Sequence, residues 1–220
     1  MTIETIARHE AAHFVVGWAT GRPSLHVDIT PSRQRICRND PTTIIMAVNY
    51  PPVGRPLPFD QILTSLAGPV SDHWNEDNAR LMDFELHWVQ KAVQRIKDGV
   101  SLSGDDGDWD MALGQMMYFG VDPTDETRLK AGVAHFLDAT RGVLIRCKEM
   151  WDDVYKTLLS HQRIGFNGAH PDQGEEAEGI FCKWGDEWGE PPRDVQDYVT
   201  KIRNDTDSIF KDSMATVEVF

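Results

Sequence analysis

The N-terminal segment constrains the fold most, because a helical apolar pattern there carries ionisable side chains in its middle. Residues 2–20 predict a helix, which Gly21 and Pro23 end. His9, Glu10 and His13 interrupt its apolar pattern. Ionisable side chains that face an apolar interior cost free energy unless they are paired or bind an ion. The helix is therefore expected to hold a polar site. Its apolar positions are Ile3, Ile6, Ala7, Phe14, Gly17 and Trp18.

The spacing of these polar residues favours a metal site. Residues four apart lie on one face of a helix, so His9 and His13 can point ring nitrogens at one ion. Glu10 lies one position beyond His9, where its carboxylate reaches a water bound to that ion. This H-E-x-x-H pattern is typical of zinc metalloproteases. The alternative is that two histidines fell at this spacing by chance.

A catalytic zinc needs a third protein ligand and an open position. No H-E-x-x-H-x-x-G-x-x-H extension follows His13. An acidic loop offers candidates further along the chain, just before a predicted helix. Carboxylates there also stabilise the positive end of a helix, so the residues alone leave the third ligand open. The candidates are Asp105, Asp106, Asp108 and Asp110.

The rest of the chain predicts an α+β fold that is mainly helical with a small β-sheet. Alternating or β-branched residues at 25–30 and 42–48 predict strands, and a proline-rich connector follows. The run 42–48 is either an edge strand on which an extended substrate pairs or an ordinary core strand. Helical spacing then recurs in four further segments, namely residues 59–74, 81–96, 108–119 and 126–161.

Composition changes after Ile164, which predicts a division into residues 1–165 and 166–220. The second part is an acidic appendage, expected to be irregular apart from a short helix at 195–210 and an extended end at 215–220. Exposed Trp184, Trp188 and Phe220 are candidate anchors for a protein partner, although such residues also pack an appendage onto its own core. The extended end is also a candidate inhibitory strand in a substrate cleft.

Charge and hydropathy narrow the partners. The chain has 22 basic and 35 acidic side chains and a net charge of -13, which repels phosphate backbones and anionic membrane surfaces. No run reaches the roughly 18 apolar residues of a membrane span, and the first residues lack a secretory signal pattern. We therefore expect a soluble, cytoplasmic protein that binds neither nucleic acid nor a membrane.

Three segments, in the same order, resemble the peptidase domain of FtsH-type membrane proteases. That family has H-E-A-G-H where this chain has H-E-A-A-H from His9 to His13. Its A-G-x-x-A-E core resembles residues 67–72, with Asp72 in place of the glutamate. Its G-A-x-x-D-L-x-x-A segment is similar to residues 104–112 and places Asp108 at the third ligand. The resemblance covers residues 1–165.

The resemblance implies a zincin-like domain in which His9, His13 and Asp108 hold zinc. Glu10 is then the general base of an endopeptidase that cleaves unfolded or flexible polypeptides. The chain lacks the G-x-x-x-x-G-K-[ST] loop, so the ATPase module of that family is absent and cleavage is expected to be independent of ATP. A second hypothesis is a protease-like binding or adaptor module that keeps the metal site with little or no catalysis.

Overall fold

The structure is a computed structural model that describes residues 2–21, 26–29, 48–50, 57–74, 94, 107–122, 124–165 and 189–214. Its helices are α1 (Ile3–Ala19), α2 (Pro58–Asp72), α3 (Gly107–Met116), α4 (Glu126–Arg146), α5 (Lys148–His161) and α6 (Arg193–Met214), and a 3-10 turn, Met117–Phe119, follows α3. Its strands are β1 (His26–Asp28), β2 (Val48–Tyr50) and β3 (Arg163–Gly165). Most of the predicted helix at 81–96 and of the strand at 42–48 lies outside these residues, as do Trp184, Trp188 and the end at 215–220.

The first helix is the central element of the core. Thr2 caps it, because its hydroxyl accepts a hydrogen bond from the Thr5 amide at 3.3 Å. Gly21, at a φ of 81°, follows its end and takes the left-handed conformation that favours glycine. Residues 10–19 are all buried, as expected of a helix that other elements surround. α1 packs against α2 on one side and α5 on another, which confirms the helix predicted at 2–20.

The second helix packs against helices that are far apart in the sequence. α2 packs against α1, α3 and α4, and its apolar residues belong to the same hydrophobic core as those of α1. Pro58 is at the start of the helix, where a backbone N–H would have no partner within the helix, so proline loses no hydrogen bond there. Pro69 lies inside the helix. α2 thus lies between the helix that carries His9 and His13 and the helix that carries Asp108.

The α+β class predicted from the sequence is wrong, because the described chain is mostly helical. Its helices run for 10 to 22 residues, whereas each strand has three. β1 pairs antiparallel with β2 and with β3, so these strands form one short three-stranded sheet at the side of a mainly helical structure. Alternation at 25–30 indicates an extended conformation but not how far a distant partner strand pairs with it.

The short helix predicted at 195–210 in the C-terminal part is confirmed, although residues 193–214 extend beyond it at both ends. They form α6, a helix of 22 residues. Four apolar side chains at helical spacing join it to the hydrophobic core, namely Val195, Val199, Ile202 and Phe210. Arg203 donates a hydrogen bond to the buried Asp60 of α2 at 2.7 Å. α6 therefore packs directly on the part of the chain that contains the motifs.

Among the described residues, no helix combines the length and the apolar character needed to cross a membrane.

Candidate metal centre

Three side chains from two distant helices converge on one point. The Nε2 atoms of His9 and His13 are 3.0 Å apart on the face of α1 that meets α2. Asp108, in the first turn of α3, places its Oδ2 atom 3.1 Å from the first nitrogen and 3.2 Å from the second. Of the four candidate aspartates, Asp105 and Asp106 lie outside the described residues. Asp108 lies within hydrogen-bond distance of both predicted histidine ligands.

These separations fit a metal ion. In a tetrahedral site with bonds of ~2.0–2.1 Å, ligand atoms lie about 3.3 Å apart, within a few tenths of an ångström of the distances here. Imidazole nitrogen and carboxylate oxygen are also ligand types that divalent transition metals accept. The group of His9, Glu10 and His13 can hold a metal ion, with ligand atoms within 4.8 Å of one another. Because Asp108 lies closer to both nitrogens, it is better placed as the third ligand and Glu10 as a neighbour of the ion.

The outer nitrogen of each histidine has its own partner. His9 Nδ1 lies 2.9 Å from Asp72 Oδ2, and His13 Nδ1 lies 2.6 Å from the carbonyl oxygen of Thr64. A carbonyl or carboxylate oxygen only accepts hydrogen bonds, so both Nδ1 atoms carry hydrogen. In the neutral rings the Nε2 lone pairs then point at the shared position, beside the carboxylate oxygen of Asp108. Three electron pairs that converge in this way need a cation or protons between them.

The pKa values of the three converging side chains indicate that protons occupy this position when no metal is bound. Burial lowers the pKa of His9, but its hydrogen bonds to Asp108 and Asp72 outweigh burial and raise that pKa to about 10. Burial opposes protonation of His13 too, yet Asp108 raises its pKa. Burial raises the pKa of Asp108, but the two histidines lower that pKa by more than burial raises it. The carboxylate therefore stays ionised. Without metal the site holds protons, which a bound cation replaces.

Glu10 is buried beside the ligand atoms, with 8% of its surface exposed. Burial raises the pKa of its carboxyl group, and the neighbouring His13 and His9 partly offset that rise. A carboxylate with a raised pKa is a stronger base than one in water. The position of Glu10 is therefore suited to accept a proton from a molecule bound at the metal position.

Sequence reasoning missed the groups that hold the histidine rings. Asp72 was noted as a replacement for the family's glutamate but was given no role, and the Thr64 carbonyl was not considered. Both lie on α2, at positions 64 and 72, so two turns of helix separate them on one face. This spacing is readable in the sequence. The contact between this face of α2 and the histidine face of α1 cannot be read from the sequence.

No family model matches the chain, and no curated protein sequence matches it.

Proposed function

We propose that this protein is a zinc-dependent endopeptidase that hydrolyses unfolded or flexible polypeptides. The observation that carries the proposal is the convergence of His9, His13 and Asp108 on one position, with Glu10 buried beside it. Three protein ligands leave the open coordination position that a catalytic zinc requires. The resemblance to the FtsH-type peptidase domain supports the same ligand set and the same general base.

Zinc, when bound, lowers the pKa of a bound water towards about 7 and polarises the scissile carbonyl group. Glu10 would accept a proton from the attacking water as the new C–O bond forms, and would then give that proton to the leaving amine as the peptide C–N bond breaks. Asp72 and the Thr64 carbonyl keep both Nε2 atoms directed at the site. The proposed substrates are polypeptides that are already unfolded or flexible.

Two histidines and one carboxylate also suit Fe(II), so the identity of the metal is part of the proposal. Glu10 favours zinc, because a buried base next to the ion can take a proton from the water that hydrolyses the substrate. Elemental analysis of the protein purified without added metal measures the content directly. The proposal requires about one zinc per chain.

The Glu10→Gln variant tests the chemistry. Glutamine keeps the size of the side chain but cannot take a proton, so we expect cleavage of a labelled unfolded polypeptide to fall at least about 100-fold while zinc content stays unchanged. Glu149→Gln, on the exposed first turn of α5, is the matched control and should cleave like the wild type.

Two outcomes would count against this proposal. Cleavage by Glu10→Gln at the wild-type rate would remove Glu10 as the base. A wild-type protein that binds one zinc but leaves unfolded polypeptides intact would replace the peptidase with the second hypothesis, a binding or adaptor module that keeps the metal.

A further inference from the structure

A glycine of α2 lies directly against the two histidine nitrogens. A Cβ atom built on Gly68 would lie well inside 3.0 Å of both His9 Nε2 and His13 Nε2, a separation that real Cβ atoms essentially never show. It would lie equally close to Cε1 of His9, so it would overlap the imidazole ring and not lie along the Nε2 lone pair, where an ion binds. A side chain at residue 68 would therefore collide with the two rings that supply the candidate ligand nitrogens.

We infer that Gly68 lets both histidine rings occupy their ligand positions, and that any side chain at this position displaces the rings and weakens metal binding. The inference rests on the metal site of the proposed function but not on peptide hydrolysis. The inference makes Gly68 a positioning residue, which affects metal binding because it has no side chain and not because it binds the metal.

The histidine rings cannot easily move aside for a side chain at position 68. Thr64 and Asp72, which hold the outer nitrogens of His13 and His9, lie one turn before and one turn after Gly68 on α2. The helix that would push the rings away is thus also the helix that holds them. Moving α2 back would break both hydrogen bonds and open the packed contact with α1, whose residues here are buried.

Gly68 also precedes Pro69, and this gives a competing explanation for the glycine. Within a helix, the ring of a proline clashes with the Cβ atom and backbone of the preceding residue, and glycine relieves that clash. If this were the whole reason, replacing Pro69 would remove the need for glycine at position 68. If the histidine rings are the reason, alanine at position 68 would still interfere with metal binding after Pro69 is replaced.

Four variants of the full chain separate these explanations: Gly68→Ala, Pro69→Ala, the double variant, and Gly114→Ala as the control. Gly114 lies on the exposed side of α3, and a Cβ atom there meets nothing within 4 Å. Zinc affinity is measured by competition with a chromophoric chelator, and helix content by circular dichroism. We expect Gly68→Ala and the double variant to bind zinc at least about 100-fold more weakly with wild-type helix content, because both rings must leave their ligand positions.

Pro69→Ala and Gly114→Ala should bind zinc like the wild type. Wild-type affinity in Gly68→Ala or in the double variant would overturn the inference and leave the peptidase proposal standing. A loss of helix content in both Gly68 variants would also overturn it, since the inference requires a folded chain that lacks only the ion. Conversely, zinc binding that depends on Gly68 without any proteolysis would sink the peptidase proposal and leave this inference intact.

Discussion

At the scale of single residues, the outer hydrogen bonds of the histidines decide what the site can bind. A histidine ring offers a lone pair at only one nitrogen when it is neutral, and the partner of the other nitrogen selects which one. Asp72 and the Thr64 carbonyl fix both rings with Nε2 directed inward. The carbonyl cannot be removed by substitution, but the Asp72 carboxylate can.

Replacing Asp72 by asparagine tests this role. The variant keeps a possible acceptor for His9 Nδ1 but loses the charge that strengthens the hydrogen bond, so we expect zinc affinity to fall by about 10–100-fold. Asp72→Glu, which introduces the residue of the resembled family, should retain more affinity than Asp72→Asn. Chelator competition measures both, with the exposed Asp153→Asn as the control. Equal affinity in Asp72→Asn and the wild type would show that the carboxylate does not support the ligand.

At the scale of elements, α6 makes polar contacts with the start of α2, the helix that supplies the hydrogen-bond partners of the histidines. Asp60, one turn before Thr64 on that helix, is buried and pairs with Arg203 of α6 at 2.7 Å. The same guanidinium group lies 5.3 Å from the ring centre of Phe59. Arg203 of α6 therefore contacts the start of α2, whose later turns contact the histidines.

Arg203→Met removes the cation that faces the buried Asp60 carboxylate. We expect the free energy of unfolding to fall by about 2–3 kcal/mol, near the low end for such pairs because Arg203 is partly exposed. Urea denaturation of Arg203→Met, Asp60→Asn and the double variant gives the coupling between the two side chains. The matched control is Lys201→Met, on the exposed side of α6. A stability loss no larger than that of the control would mean that α6 is held by its apolar contacts alone.

At the scale of the whole molecule, a metal ion would join helices that are far apart in sequence. His9 and His13 lie on α1, whereas Asp108 lies on α3, 99 residues beyond His9. The unfolded chain has no such arrangement, so binding to the folded state adds stability through mass action.

Zinc should therefore raise the free energy of unfolding by ~2.7 kcal/mol at a free concentration 100 times its dissociation constant. Thermal unfolding with zinc and then with excess chelator measures this increase and its reversal. His13→Ala is expected to unfold at the same temperature with and without zinc. An equally large zinc effect in that variant would place the stabilising ion elsewhere on the protein.

The sequence by itself determined the features that depend on neighbours along the chain. It predicted α1 and the shared face of its two histidines, because residues four apart lie on one helix face whatever surrounds the helix. It also predicted most described helix positions, including residues 195–210 within α6, because apolar periodicity is a local property. It divided residues 126–161 less well, since the break at Cys147 between α4 and α5 leaves that periodicity almost unchanged.

Only the tertiary structure decided the features that depend on which surfaces meet. The residues alone left four aspartates as candidates, and only the resemblance singled out Asp108; the packing of α3 on α2 is what places its carboxylate at the histidines. The α+β class was wrong for the same kind of reason, because strand pairing depends on distant partners. Gly68 carries no side chain whose chemistry a sequence could reveal. Its importance arises because α2 presses it against two nitrogens that α1 supplies.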